Sequence, residues 1–148
     1  MKPTGSVEIL LVEDDPQDLD LTLRALRLAR LTNNIRVARD GAEALDYIFG
    51  EGPWAGRSPP DIVVLDLKLP KVDGMEVLRR AKSDPRTRAI PIVVLTSSKQ
   101  ERDVVESYKL GVNSFISKPV SFEQFTEAVR QLGFYWALLN HPPPRTAT

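Results

Sequence analysis

The chain has 148 residues, 42% of them apolar and 27% charged, which suits one globular domain. Its 20 basic and 20 acidic side chains balance, which argues against the basic excess that a nucleic-acid footprint needs. There is no cysteine, the lone histidine is His141, Met1 to Val7 carries no signal-peptide core, and no apolar run could span a bilayer; disulfide, thiolate and multi-histidine chemistry are therefore set aside, and a cytoplasmic chain with no membrane partner is expected.

Five short apolar runs come in order: Ile9–Val12, Ile35–Val37, Ile62–Leu65, Ile92–Leu95 and Ser114–Ile116. The first, third and fourth are unbroken, as in parallel strands covered on both faces. Helical spacing fills the intervals, for example Leu19, Leu23 and Leu26, then Met75, Leu78 and Ala81. Asp15 before Pro16 reads as a helix cap followed by proline at the first helical position. Asp40 with Glu43, Asp73 with Glu76, Ser98 with Glu101 and Ser121 with Gln124 have the capping-box spacing. A β-α unit repeated five times with right-handed crossovers gives an α/β, doubly wound parallel sheet. Gly50 to Pro60 forms a Gly/Pro-rich loop in which Trp54 is expected to pack. Residues 1–140 are expected to form one domain with an extended last helix, and 141–148 a flexible tail.

Ligands of open α/β sheets bind beyond the carboxyl ends of the strands. Glu13 and Asp14 follow the first run, Asp66 the third, Thr96 and Ser97 the fourth, and Lys118 the fifth. Three carboxylates brought together repel one another unless a cation intervenes. Hard oxygen donors that leave room for water and phosphate suit Mg²⁺. The ion would offset charge on an incoming phosphoryl group, Lys118 would add a point charge from the other side, and Thr96 offers a hydroxyl donor. Asp66, central in the group, is the carboxylate expected to form an aspartyl phosphate. Taken singly, each residue has an ordinary explanation as cap, turn or solvated side chain; their joint placement at four strand ends carries the reading.

Ile9 to Pro16, Asp61 to Pro70 with Asp73-Gly74, Val93 to Ser97, and Lys118-Pro119 together resemble the receiver domains of bacterial two-component response regulators. The resemblance, over roughly residues 7 to 138, implies a flavodoxin-like (βα)5 fold with strand order 2-1-3-4-5 and a partner sensor histidine kinase. It implies Asp66 as phosphoacceptor. It also implies Asp14 as a direct Mg²⁺ ligand, Glu13 as one acting mainly through water, and the Lys68 carbonyl as a further ligand. Thr96, with Ser97 beside it, matches the switch hydroxyl, and Lys118 the phosphoryl-binding lysine, with a cis bond to Pro119. Phe115 stands where the family has its aromatic switch residue, often tyrosine; without a hydroxyl it would act by packing alone. Lys68 and Ser98, two residues beyond the acceptor and the threonine, match positions that tune dephosphorylation.

The last helix carries Phe122, Phe125, Val129, Leu132, Trp136 and Leu139 at alternating spacings of three and four. Over 18 residues it would run about 27 Å, beyond the reach of strands of about 17–20 Å. Phe134, Tyr135, Trp136 and Leu139 would crowd on the overhang. With Phe122 and Phe125 they form the expected interface of a homodimer. This ending and the Trp54 loop resemble the single-domain response regulators paired with bacterial phytochrome kinases. No DNA-binding domain is expected after the receiver, and signalling through another protein is expected. A haloacid-dehalogenase type of hydrolase would need an acid two residues after its nucleophile, where Lys68 stands. A flavodoxin-like nucleotide binder would need a phosphate loop where Glu13, Asp14 and Asp15 stand. A phosphorylation-independent scaffold remains a fourth reading.

Overall fold

A computed structural model describes residues 8–28 and 34–132. Five parallel strands form one sheet: β1 (Glu8–Val12), β2 (Asn34–Ala38), β3 (Ile62–Asp66), β4 (Ile92–Thr96) and β5 (Ser114–Ser117). Their spatial order is β2-β1-β3-β4-β5, as the resemblance implied. Five helices lie between and after them: α1 (Pro16–Leu28), α2 (Gly41–Phe49), α3 (Gly74–Ser83), α4 (Lys99–Ser107) and α5 (Phe122–Leu132).

The unbroken strands are buried because both sheet faces are covered, and alternate side chains divide between two cores. Ile9, Leu11, Ile62, Val64, Val93 and Leu95 meet Leu26 of α1 and Phe125 and Val129 of α5. Leu10, Val12, Val63, Leu65, Ile92 and Val94 meet Leu45 and Ile48 of α2 and Val77 and Leu78 of α3. Each fully buried aliphatic side chain contributes about 1.5–3 kcal/mol. β2, at the sheet edge, alternates between exposed and partly buried positions. α4 is the most lightly seated of the five α-helices: among its residues only Val105 is buried, while Val104 stands exposed.

The caps match the sequence expectation. Asp15 Oδ1 accepts from the backbone N–H groups of Gln17 and Asp18, and Asp40 Oδ1 from that of Glu43. Asp73 accepts from Met75, Ser98 from Glu101, and Ser121 Oγ from Gln124. Gly50 ends α2 at φ 65°, a left-handed conformation suited to glycine. In the loop after α2, Trp54 packs edge-on to Tyr47 at 5.0 Å, so the packing role expected of it is the one it has.

The last helix departs from its expected role at one residue. Phe125 is wholly buried in the first core, so it does not present a surface to a second copy; at Phe125 and Val129 the three-four spacing is satisfied by its own sheet. Phe122 is 41% exposed and remains available. Phe134, Tyr135, Trp136, Leu139 and the tail 141–148 lie outside the described residues.

Candidate functional site

Each strand but β2 delivers a functional side chain to the carboxyl edge, next to the point between β1 and β3 where the chain reverses direction across the sheet. β1 runs into Glu13, whose backbone N–H extends the pairing by donating to Ala38 O at 2.9 Å. Asp66 and Thr96 close β3 and β4, and both are buried. Lys118 comes just after β5; its backbone N–H donates to Thr96 O at 2.8 Å, tying the lysine to the neighbouring strand, and its bond to Pro119 is cis.

Carboxylate oxygens of Glu13, Asp14 and Asp66 lie within 4.8 Å of one another. Oxygens on one octahedral Mg²⁺ at about 2.1 Å are about 3.0 Å apart when adjacent and about 4.2 Å when opposite, so direct binding by all three would draw them together by up to about 1.8 Å. Glu13 and Asp66 are buried while Asp14 is exposed, which leaves one side of the cluster open to water. Glu13 Oε2 accepts weakly from Asp15 N at 3.3 Å, but Oε1 is buried with no aligned hydrogen bond. Burial first, and then the Asp66 carboxylate beside it, push the Glu13 carboxyl up to about 8. A buried carboxylate oxygen that makes no hydrogen bond, set among hard donors, fits a divalent ion.

Lys118 supplies the positive charge on the other side. Its Nζ lies 2.9 Å from Asp66 Oδ2, 3.1 Å from Glu13 Oε1 and 3.0 Å from Asp18 Oδ2. Its ammonium is held well above the ordinary lysine range: burial opposes this, but the hydrogen bonds to Asp66 and Asp18 outweigh it. Asp18 was not among the residues singled out from the sequence. It lies in the first turn of α1, where an acid also complements the helix dipole, and that ordinary explanation hides it.

The loop from Leu67 to Asp73 forms the rim. Lys68 is exposed, and its backbone N–H donates to Asp66 Oδ1 at 3.3 Å, which keeps the Lys68 peptide beside the Asp66 carboxylate. The loop is pinned against α2. Gly41 N donates to Pro70 O at 3.3 Å, and Lys71, at φ 68°, reaches Asp40 Oδ2 at 3.4 Å. A Cβ at Gly41 would lie 1.9 Å from Val72 O, so only glycine allows this approach. Capping α2 holds the Asp40 carboxyl below its usual range, chiefly through the Glu43 backbone N–H.

The remaining expected residues stand farther out. Ser97 and Ser98 are exposed; the Ser97 N–H donates to Glu101 Oε1 at 2.9 Å, and Ser98 Oγ is engaged as the α4 cap at 3.1 Å. Phe115 is half-buried in β5, and the guanidinium of Arg102 covers its ring at 4.9 Å while pairing with Glu106 at 2.8 Å. Between the Lys68 rim and α4 lies a groove of about 390 Å³, bordered by Leu67, Met75, Ser98 and Val104.

Comparison with known proteins agrees with this geometry. A family model described as the response regulator receiver domain matches residues 9–130. The probable methanogenesis regulatory protein FilR2 of Methanothrix harundinacea is 46% identical over 91% of this chain and 86% of its own. Two solved structures are similar throughout. The bacteriophytochrome response regulator RtBRR is 54% identical, with TM-score 0.85 over 94% of this chain and 85% of its own. The bacteriophytochrome response regulator AtBRR is 55% identical, with TM-score 0.84 over 92% and 99%.

Proposed function

We propose, for a chain that belongs to the response regulator receiver domain family, that Asp66 accepts a phosphoryl group from a sensor histidine kinase in a Mg²⁺-dependent reaction and that the signal leaves by protein–protein contact. Receiver domains are phosphotransfer switches and not enzymes acting on an outside substrate. One observation carries the reading. Side chains from the ends of β1 and β5 meet the buried carboxylate of Asp66 at the end of β3, with two acids within 4.8 Å and an ammonium 2.9 Å away.

An oxygen of Asp66 attacks phosphorus as the phosphorus–nitrogen bond to the kinase histidine breaks, and the histidine leaves with the electron pair. Lys118 offsets charge on the transferred group, and the Thr96 hydroxyl is the donor for one of its oxygens. Glu13, Asp14, Asp66 and the Lys68 carbonyl would hold Mg²⁺, which when bound neutralises charge on the phosphoryl oxygens. Phe115, beneath Arg102, carries the change onward by packing, and Lys68 and Ser98 set how long the phosphate lasts.

The two bacteriophytochrome response regulators support a phytochrome-type kinase as the partner of this cytoplasmic protein. A homodimer forms through Phe122, Phe134, Tyr135, Trp136 and Leu139, without Phe125 and without nucleic acid. Sedimentation over a wide dilution range tests the dimer; an unchanged profile in Trp136→Asp rejects it. The test of function is incubation with Mg²⁺ and acetyl phosphate. The expected result is an acid-stable, base-labile mass gain of one phosphoryl group that is absent in Asp66→Asn; retention of that gain in the variant excludes Asp66 as acceptor.

A further inference from the structure

The Lys118 ammonium has three protons to donate, and three carboxylates lie within 3.1 Å of it. Two well-formed hydrogen bonds go to Asp66 at 2.9 Å and Asp18 at 3.0 Å, and the third side faces Glu13 Oε1 at 3.1 Å. An arriving phosphoryl oxygen must compete with all three for this cation. Glu13 is 0% exposed and Asp66 4%, so neither has water at hand to replace the ammonium. The Asp18 side chain is 35% exposed and sits at the start of α1, where water and the helix dipole both stabilise a released carboxylate.

We propose that Asp18 is a positioning residue that competes with the incoming phosphoryl group for Lys118, and so sets the concentration at which a phosphodonor is used. The inference rests on Asp66 being the acceptor. Before transfer, Asp18 holds Lys118 toward α1. When a donor docks, Lys118 exchanges Asp18 for a phosphoryl oxygen. With acetyl phosphate, the Asp66 oxygen–phosphorus bond forms as the phosphorus–oxygen bond to the acetyl group breaks, and acetate leaves with the electron pair. No proton or redox partner is needed.

The test is the initial labelling rate against acetyl phosphate concentration, read by intact mass at fixed Mg²⁺. Asp18→Asn should lower the KM by about threefold to fivefold, the range for one partly exposed ion pair, with kcat changed less than about twofold. Asp18→Glu should return the KM toward the wild-type value. In a Lys118→Ala background, Asp18→Asn should have no effect, because the competition runs through the lysine. A fall in kcat with KM unchanged would make Asp18 merely structural and overturn the proposal. An equal effect without Lys118 would reduce it to general charge repulsion and overturn it too. The KM split and the Asp18→Glu rescue decide the matter even if Lys118→Ala does not fold. Wild-type labelling separates the two readings: no mass gain there rejects Asp66 as acceptor, whereas normal labelling with an unmoved KM in Asp18→Asn rejects only the role of Asp18.

Discussion

Divalent-ion binding to this cluster should release a proton at neutral pH. With the carboxylates gathered and no ion bound, the Glu13 carboxyl titrates at about 8, mainly because it is buried. At pH 7 about nine-tenths of Glu13 side chains would then carry a proton, and an ion that needs the carboxylate must displace it. The apparent Mg²⁺ affinity should fall by about elevenfold at pH 7, or about 1.4 kcal/mol, and by about a hundredfold at pH 6. Above pH 8 it should level off. The assay is isothermal titration calorimetry with Mg²⁺ in buffers of different ionisation enthalpy, which counts released protons. About 0.9 protons per ion is expected at pH 7, and close to none in Glu13→Gln. The same shift sets a sign for stability. The folded pKa of Glu13 lies above its unfolded value of 4.5, so the folded state binds the extra proton between 4.5 and 8. In EDTA, this group's contribution is full below pH 4.5 and is lost as pH rises through 8, with a slope of up to about 1.4 kcal/mol per unit. Saturating Mg²⁺ should remove that slope. An affinity that does not vary between pH 6 and 8, with no proton released, would refute the reasoning.

Three further outcomes are expected from the geometry. Phe125→Ala should destabilise the fold by about 3–5 kcal/mol in urea titration, because it empties a wholly buried site; a loss under about 1 kcal/mol would contradict its place in the core. Gly41→Ala forces a Cβ against Val72 O and should displace the Lys68 rim, weakening Mg²⁺ binding at least tenfold by calorimetry; unchanged affinity would show that the rim is not held from α2. Lys68→Asn should shorten the life of the aspartyl phosphate severalfold, since a cation beside the phosphoryl group hinders attack by water; a longer life, tracked by intact mass after the donor is removed, would reverse that role.

The parallel sheet and the residues gathered at its edge were legible for one reason: a parallel sheet covered on both faces needs unbroken apolar runs, and the residues just past each run must gather at the same edge; the strand order came from the resemblance alone. Ile62 to Leu65 pointed to Asp66, and Ile92 to Leu95 to Thr96, without any knowledge of contacts. The caps were equally legible, because Asp40 and Ser98 act within three residues of their own position. Asp18 was not. Its partner lies 100 residues away, and an acid in a helix's first turn already has a local cause. Phe125 was misassigned because a helix on its own sheet and a helix on a second copy share the same three-four period. The pinning of the rim by Gly41 was also hidden, since a glycine opening a helix does not announce what approaches it.

The light seating of α4 gives the molecule a floor and a hinge of unequal strength. Detaching that helix means wetting essentially one valine, Val105, at about 1.5–3 kcal/mol, whereas moving α5 would mean wetting Phe125, Ala128 and Val129 together. A free-energy change of that small size shifts a two-state population by roughly tenfold to a hundredfold. Events at the carboxyl edge therefore need little leverage to re-seat α4 while the rest of the sheet stays as it is. A protein that recognises the α4 surface could read the acceptor's chemical state from a distance without the domain ever loosening its two cores.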